Sequence, residues 1–411
     1  MPLPLRATRA APRRPGAHPR PLLAALALLL ALLSPAPAAA HARLNAGAPA
    51  PGAVVAAQWV DFDASAPRIS MAASQPAERP AIDPALADQA PADEPAAEEA
   101  DVSEYDAVAP LPLTVRWLEF VSLLAMVGAV AFNLLVIRRL GSTVPARVAD
   151  RAAYGAWYIA LGAAALGAFT LVMRLWLQSR SIFGPDEAFE GERLEALLRG
   201  TVWGSGWILQ AIATVAYFLG LMVARAPHGR SIGWMGAAVA GLLLAAVPAL
   251  SGHASAVEGL TALAIVSDWV HVLGAGVWLG TLASLLLAGL PAAAFAGEGQ
   301  GTPAFARMVR GFSPVALAGA AAAGVTGVVN SLFHLSAASQ LWGTWYGRML
   351  VLKLALLAVV ATLGYVNWRR VLPVADTPEG ARRLRRNAAV ELGNGIVVLL
   401  VTAALVALPS P

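Results

Sequence analysis

The sequence predicts an all-α fold, a polytopic transmembrane bundle of about eight helices, and three observations carry that expectation. Hydrophobic residues make up 58% of the 411 and charged residues only 13%, about half the charged share of a soluble domain. From Leu113 onward the chain is a series of long apolar runs separated by short polar loops. Arginines gather in alternate loops, as they do when a chain crosses a membrane repeatedly.

The apolar runs are Leu113–Ile137, Ala152–Leu177, Trp203–Ala224, Ile232–Leu250, Leu263–Leu290, Phe312–Leu335, Trp345–Trp368 and Ala388–Leu408. Each is long enough to cross a hydrocarbon layer of about 30 Å at about 1.5 Å per residue. Gly and Ala are frequent inside them, which suits close helix packing in lipid. Arg138, Arg139, Arg147 and Arg151 lie between the first two runs, and Arg225 and Arg230 between the third and fourth. Arg307 and Arg310 follow the fifth; Arg369, Arg370, Arg382, Arg383, Arg385 and Arg386 follow the seventh. These loops belong on the cytoplasmic side, which leaves Asp186, Glu187, Glu190, Glu192 and Glu195 on the outer one.

Residues 1–40 read as a secretory signal. Arg6, Arg9, Arg13, Arg14 and Arg20 precede the apolar run Leu22–Leu33, and small residues follow up to Ala40. That run is too short to span comfortably, so cleavage before His41 is expected. Residues 41–110 read as a short exported arm and a disordered acidic linker rich in Pro, Ala, Asp and Glu. Residues 111–411 form the transmembrane domain. The exported N-terminus and the arginine asymmetry agree on a bacterial inner-membrane protein whose mature N-terminus is periplasmic.

Composition also excludes. The net charge of +4 comes from arginines in membrane loops, with Lys353 the single lysine. No basic aromatic domain exists to carry nucleic-acid binding. The chain has no cysteine, so thiolate metal sites, disulfides and cysteine nucleophiles are ruled out. A soft metal would have to be held by Met and His. No nucleotide-binding motif is present, so ATP-driven pumping by this chain is not expected.

Four of the six histidines map to the outer side: His41, His253 after the fourth run, His271 inside the fifth and His334 at the end of the sixth. Capping of a helix at the interface would account for His253 or His334 taken alone. His271 lies roughly 9–12 Å below the outer end of its helix, where ionisable groups face a polar cavity or a partner. Asp268 precedes it by three positions and shares its face, so the carboxylate is placed to bind a metal or to orient the imidazole. Trp278 lies one heptad further along that face. Met173 and Met349 sit at a similar outer depth; thioether with imidazole suits Cu(I), imidazole with carboxylate Cu(II). Lys353 is deep enough to need an anionic partner such as Asp268 or Glu119, Arg348 is placed to snorkel, and Glu391 is expected to pair with Arg386.

Several motifs carry a resemblance over about residues 113–408. They are Ser251-Gly-His-Ala254, Asp268-Trp-Val-His271 running into Val277-Trp-Leu-Gly280, Phe312-Ser-Pro, Thr326-Gly-Val-Val-Asn330, Thr344-Trp-Tyr-Gly-Arg348 with Lys353, and Glu391-Leu-Gly393. In order and spacing they resemble the CopD family of bacterial copper-resistance membrane proteins. The resemblance implies copper as the metal and His253, Asp268 and His271 as polar site positions, with Trp278, Arg348 and Lys353 beside them. His334 and Met349 are added from topology. The stretch from His41 to Val55 is similar to the start of CopC, the periplasmic copper-binding partner. There the mature N-terminal His binds Cu(II) through its amine and imidazole, which makes His41 a candidate ligand. The later CopC strands and ligands are absent, so a remnant is expected.

The expected function is copper transport, homeostasis and resistance without covalent catalysis, taking copper from the periplasmic face across the membrane. The expected partners are copper ion, the lipid bilayer and a periplasmic CopC-like chaperone. The rival readings are a haem-binding membrane electron carrier and a structural or sensory membrane protein.

Overall fold

The computed structural model describes residues 109–226, 228–251, 260–297, 299–335 and 337–408. Among these residues eight helices are long and apolar enough to cross a membrane. They are α1 (Pro110–Thr143), α2 (Ala146–Glu187), α4 (Val202–Arg225), α5 (Arg230–Ser251), α6 (Thr261–Ala293), α7 (Gly301–His334), α8 (Trp345–Val374) and α9 (Pro378–Leu405). Outside the spans lie α3 (Gly191–Gly200), short and amphipathic, and a single helical turn at Gln340–Gly343.

Each apolar run lies within one helix, apart from a residue or a few at the ends of the sixth and eighth, and most helices run well past theirs. The arginine-bearing turns are helical too, as Arg147 and Arg151 in α2 show. A hydrogen-bonded turn continues where the hydrocarbon ends, because long basic side chains reach the interface from inside the helix. The α2 helix is broken at Gly184, whose φ of 84° only glycine adopts readily, just before Pro185.

The stretch expected as an acidic loop contains α3. Leu197 is buried and Leu194 half-buried, while Glu192 and Glu195 face outward. Four helical residues of that kind are hard to see through a run of acids. The α3 carbonyls of Leu197 and Leu198 press on Gly204, where a Cβ would stand 2.3 Å from an oxygen. Thr201 then caps α4 by accepting from the Gly204 amide at 2.9 Å.

The bundle is held by close helix crossings at small residues, as expected where apolar lipid supplies no contrast to apolar side chains. α1 crosses α6 at Gly128 and Gly280, α4 crosses α5 at Gly220 and Gly233, and α6 crosses α7 at Gly274 and Gly319. α1 is the hub, with most of its apolar length buried, whereas α8 faces outward along nearly all of its own and packs chiefly on α9. A second tie is polar. Glu119 on α1 is buried, forms an ion pair with Arg174 on α2, and accepts from Gln210 Nε2 on α4 at 2.9 Å. Arg174 also donates to Gln210 Oε1 at 3.0 Å. Glu119 is therefore engaged by Arg174, not by Lys353.

The arginine-rich loops share one end of the bundle. Arg230 pairs with Asp150 at 3.0 Å, Arg147 donates to the Ala296 carbonyl at 2.7 Å, and Arg310 pairs with Asp376. Those contacts join the α1–α2, α4–α5, α6–α7 and α8–α9 connections, which is the grouping that charge asymmetry predicts.

Four stretches wind as π-helix: Phe132–Ile137 in α1, Gly276–Gly280 and Leu285–Gly289 in α6, and Asn367–Val371 in α8. A π turn inserts one residue and rotates everything beyond it, and such turns concentrate at functional sites.

Candidate functional site

A cavity of about 2320 Å³ opens between α6 and α7 on one wall and α8 and α9 on the other, with α1 closing one side. Most of its lining is apolar. Its polar groups include one cluster around Asp268, near the end opposite the arginine-rich loops, one around Glu391, and the Glu119–Arg174 pair with Arg116.

The first cluster begins with the α6–α7 crossing. A Cβ on Gly274 would stand 2.7 Å from the Ala323 amide nitrogen, and one on Gly319 would stand 2.8 Å from the Gly274 carbonyl oxygen. That approach brings α6 side chains onto the backbone of α7. His271 Nδ1 lies 2.8 Å from the Ala323 carbonyl oxygen. A carbonyl only accepts, so Nδ1 carries the proton and Nε2 keeps its lone pair. Gly327 makes room for the ring, since a Cβ there would stand 3.0 Å from His271 Cε1.

His334, the last residue of α7, is oriented in the same way. Its Nδ1 donates to the Asn330 carbonyl oxygen at 2.8 Å, and its ring stacks on Tyr346 at 6.0 Å between centroids. A carbonyl that fixes the tautomer of an imidazole is the usual support of a metal-binding histidine.

Asn330 links the cluster. Its Nδ2 donates to Asp268 Oδ1 at 3.2 Å, and its Oδ1 accepts from Ser267 Oγ at 2.6 Å. The Asn330 side chain thus holds the carboxylate of α6 while its own carbonyl holds His334. Neither Asn330 nor Ser267 was expected as a site residue. The signal was a lone Asn one turn from the end of an apolar run, which a helix in lipid seldom carries without a partner.

Lys353 stands on the facing helix α8, half-buried on the cavity wall. It lies within electrostatic reach of Asp268 and His271, but forms no ion pair within 4 Å with any described residue. Of the two anionic partners expected for it, the geometry leaves Asp268. Arg348 points away from this cluster: its Nε donates to the Trp342 carbonyl at 3.0 Å and its guanidinium lies over the Trp345 ring. It snorkels.

The other candidates are placed differently. Met349 does not line the cavity. Tyr346, Leu350 and Lys353 form the i, i+4, i+7 stripe that does, and Met349 falls beside it. Met173 does not line the cavity either. His41 and His253 lie outside the described residues. Among the described residues no three His, Asp or Glu side chains come together closely enough to hold a metal ion. Glu391 does not pair with Arg386; it accepts from Asn367 Nδ2 at 3.3 Å, with Trp278 also turned toward it.

Comparison with known proteins finds two matching blocks. Residues 306–405 match the family described as copper resistance protein D, and residues 107–263 match the copper resistance protein D-like N-terminal domain. Over these two blocks the chain is similar to the copper resistance protein D family. The matched blocks cover α1 to α5 and most of α7 to α9, while nearly all of α6, with Asp268 and His271, lies between them. Copper transport protein CutJ of Bacillus subtilis (strain 168) is 30% identical over 259 residues, which is 60% of this chain and 44% of CutJ. The chain therefore spans under half the length of that relative. No solved structure matches. Neither family match reaches residues 41–70, the stretch that is similar to CopC.

The relation of Asp268 to Lys353 is testable. Asp268→Asn is expected to lower the amount of protein in the membrane, because Lys353 then faces the cavity with no anion near it. Lys353→Met in the same chain is expected to restore the amount. Immunoblots of membrane fractions read both; a double variant no more abundant than Asp268→Asn would show that the two charges are not coupled.

Proposed function

We propose that this protein binds copper at the Asp268 end of the cavity and passes it through the bundle, as a transporter serving copper homeostasis and resistance. One observation carries the reading: His271 and His334 line one cavity with Asp268, each imidazole held through Nδ1–H by an α7 carbonyl. The match to the copper resistance protein D family supports it, and so does the name of CutJ, a copper transport protein.

The donors on the cavity wall are imidazole and carboxylate, with no thioether among the described residues. That set suits Cu(II) better than Cu(I). The ion is cargo, and donors that stand apart along one cavity wall, with no three of them close enough to cage an ion among the described residues, fit passage rather than storage. His253, in the connection from α5 to α6, would complete it, and His41 would deliver copper from the exported arm. Lys353 supplies a counter-charge for Asp268 when no cation is bound, and an arriving ion displaces it electrostatically. Binding and passage, not covalent catalysis, are the chemistry of these groups.

The arginine-rich end lies in the cytoplasm on the positive-inside rule, so the Asp268 cluster faces the periplasm of an inner membrane. A periplasmic copper chaperone of the CopC kind would be the donor.

Copper accumulation in cells tests this. Cells producing the full chain are expected to differ in copper content from cells carrying an empty vector, measured by elemental analysis, with zinc content unchanged. Equal copper contents at confirmed expression would overturn the reading.

A further inference from the structure

Glu391 lies midway along the 28-residue α9 and is only 7% exposed. Its surroundings are uncharged. Asn367 Nδ2 donates to Glu391 Oε2, the Trp278 indole faces it, and Gly364 leaves room beside Oε1. Asn387, one turn before it on α9, donates to Asn367 Oδ1 at 2.8 Å and fixes the orientation of that amide. The groups facing Glu391 thus come from α6 (Trp278), α8 (Gly364 and Asn367) and α9 itself (Asn387). None is titratable, and no ion pair within 4 Å involves Glu391 among the described residues.

A carboxylate buried one turn inside a span with no counter-charge is costly, and such groups mark ion pathways and proton relays. Two further features argue that this one is built for use. Both side chains that hold it come from π turns, Trp278 from Gly276–Gly280 and Asn367 from Asn367–Val371. A π turn costs regular hydrogen bonding and persists where it aims a functional group. Glu391, Trp278 and Asn367 also line the same cavity as Asp268, His271 and Lys353, so water and ions entering there can reach the carboxyl.

We propose that Glu391 is a proton-binding site of the cavity. The carboxyl holds a proton while the cavity carries no cation, and gives it up to cavity water when a cation passes. The carboxylate left behind offsets one positive charge of the passing cation. As a coupling device the site rests on the reading of the chain as a cation carrier; as a proton site it does not.

The test uses the full chain in liposomes without copper. Dicyclohexylcarbodiimide attacks protonated carboxyl groups in apolar surroundings: the acid proton moves to a carbodiimide nitrogen, the carboxylate oxygen bonds to the central carbon, and a stable acylurea follows. Peptide mass spectrometry is expected to find the adduct on Glu391, with yield falling as the buffer is made more alkaline. Glu391→Asp should keep an adduct at that position and Glu391→Gln should lose it. No adduct on Glu391 at any pH, or a yield independent of pH, would overturn the proposal. Copper flux into the same liposomes separates the two readings. Flux that responds to a pH gradient in the natural chain and not in Glu391→Gln supports coupling. Equal response in both overturns coupling, and no copper flux at all, with the adduct present, counts against the cargo and not against the proton site.

Discussion

Gly280→Val is expected to remove most of the folded protein from the membrane. α1 and α6 cross with backbones in contact: a Cβ on Gly280 would stand 2.0 Å from the Leu124 carbonyl oxygen, and one on Gly128 would stand 2.0 Å from the Gly280 carbonyl carbon. Both obstacles are backbone, so no rotamer change relieves the clash. α1 is the hub of the bundle, and Gly276 meets Val127 one turn away, so the two helices cannot separate locally. Overpacking that moves a backbone costs typically 1–3 kcal/mol, and several such contacts at once place the loss above about 4 kcal/mol. Gly162→Val in α2 is the control, because a Cβ there meets nothing within 4 Å. Monodisperse yield from detergent-solubilised membranes reads the difference. Similar yields from the two variants would show that the crossing is looser than described.

His271→Ala is expected to abolish the effect on cellular copper while leaving the amount of protein near normal. The imidazole is half-buried and touches a cavity rather than a packed core, so truncation enlarges a space that is already open. The Ala323 carbonyl it leaves remains within 3.4 Å of Thr326 Oγ1, so no acceptor is stranded. A stability loss of about 1 kcal/mol is expected on these grounds. The functional loss is larger because Nε2 is a donor atom held inside the span by a hydrogen bond on the far side of its ring. Cellular copper content and membrane abundance are measured together. Wild-type copper handling by a well-expressed variant would remove His271 from the pathway.

The membrane fold was legible because its signal is long and redundant. An apolar run of twenty residues survives any local irregularity, and eight of them with alternating arginines leave little else to build. The ends of the helices were less so, since polar turns such as those bearing Arg147 and Arg151 continue a helix without adding hydropathy. The amphipathic α3 was hidden because three leucines among acids look like a loop until Gly204 lets the backbone of Leu197 and Leu198 pack against α4.

The candidate site was legible along a helix and not between helices. Asp268 and His271, three residues apart, reach one cavity wall as spacing predicts. Asn330 was not recognised as their partner, because the α6–α7 crossing that puts Asn330 on Asp268 depends on Gly274 and Gly319 meeting face to face. Trp278 shows the limit of periodic reasoning most clearly. A heptad count carries it onto the His271 face, but it sits in a π turn that rotates the register, and its indole turns to Glu391 instead. Charge counting likewise sent Glu391 to Arg386, when two uncharged side chains from other helices hold it.

The most direct test of copper binding in this cavity is a competition titration of the purified chain, run beside His271→Ala, with X-ray absorption at the copper edge on the loaded samples. The account predicts copper bound by the natural chain with nitrogen scattering of imidazole type, and an affinity at least about tenfold lower in the variant, a loss of about 1.4 kcal/mol. Equal affinities with identical absorption spectra would contradict it.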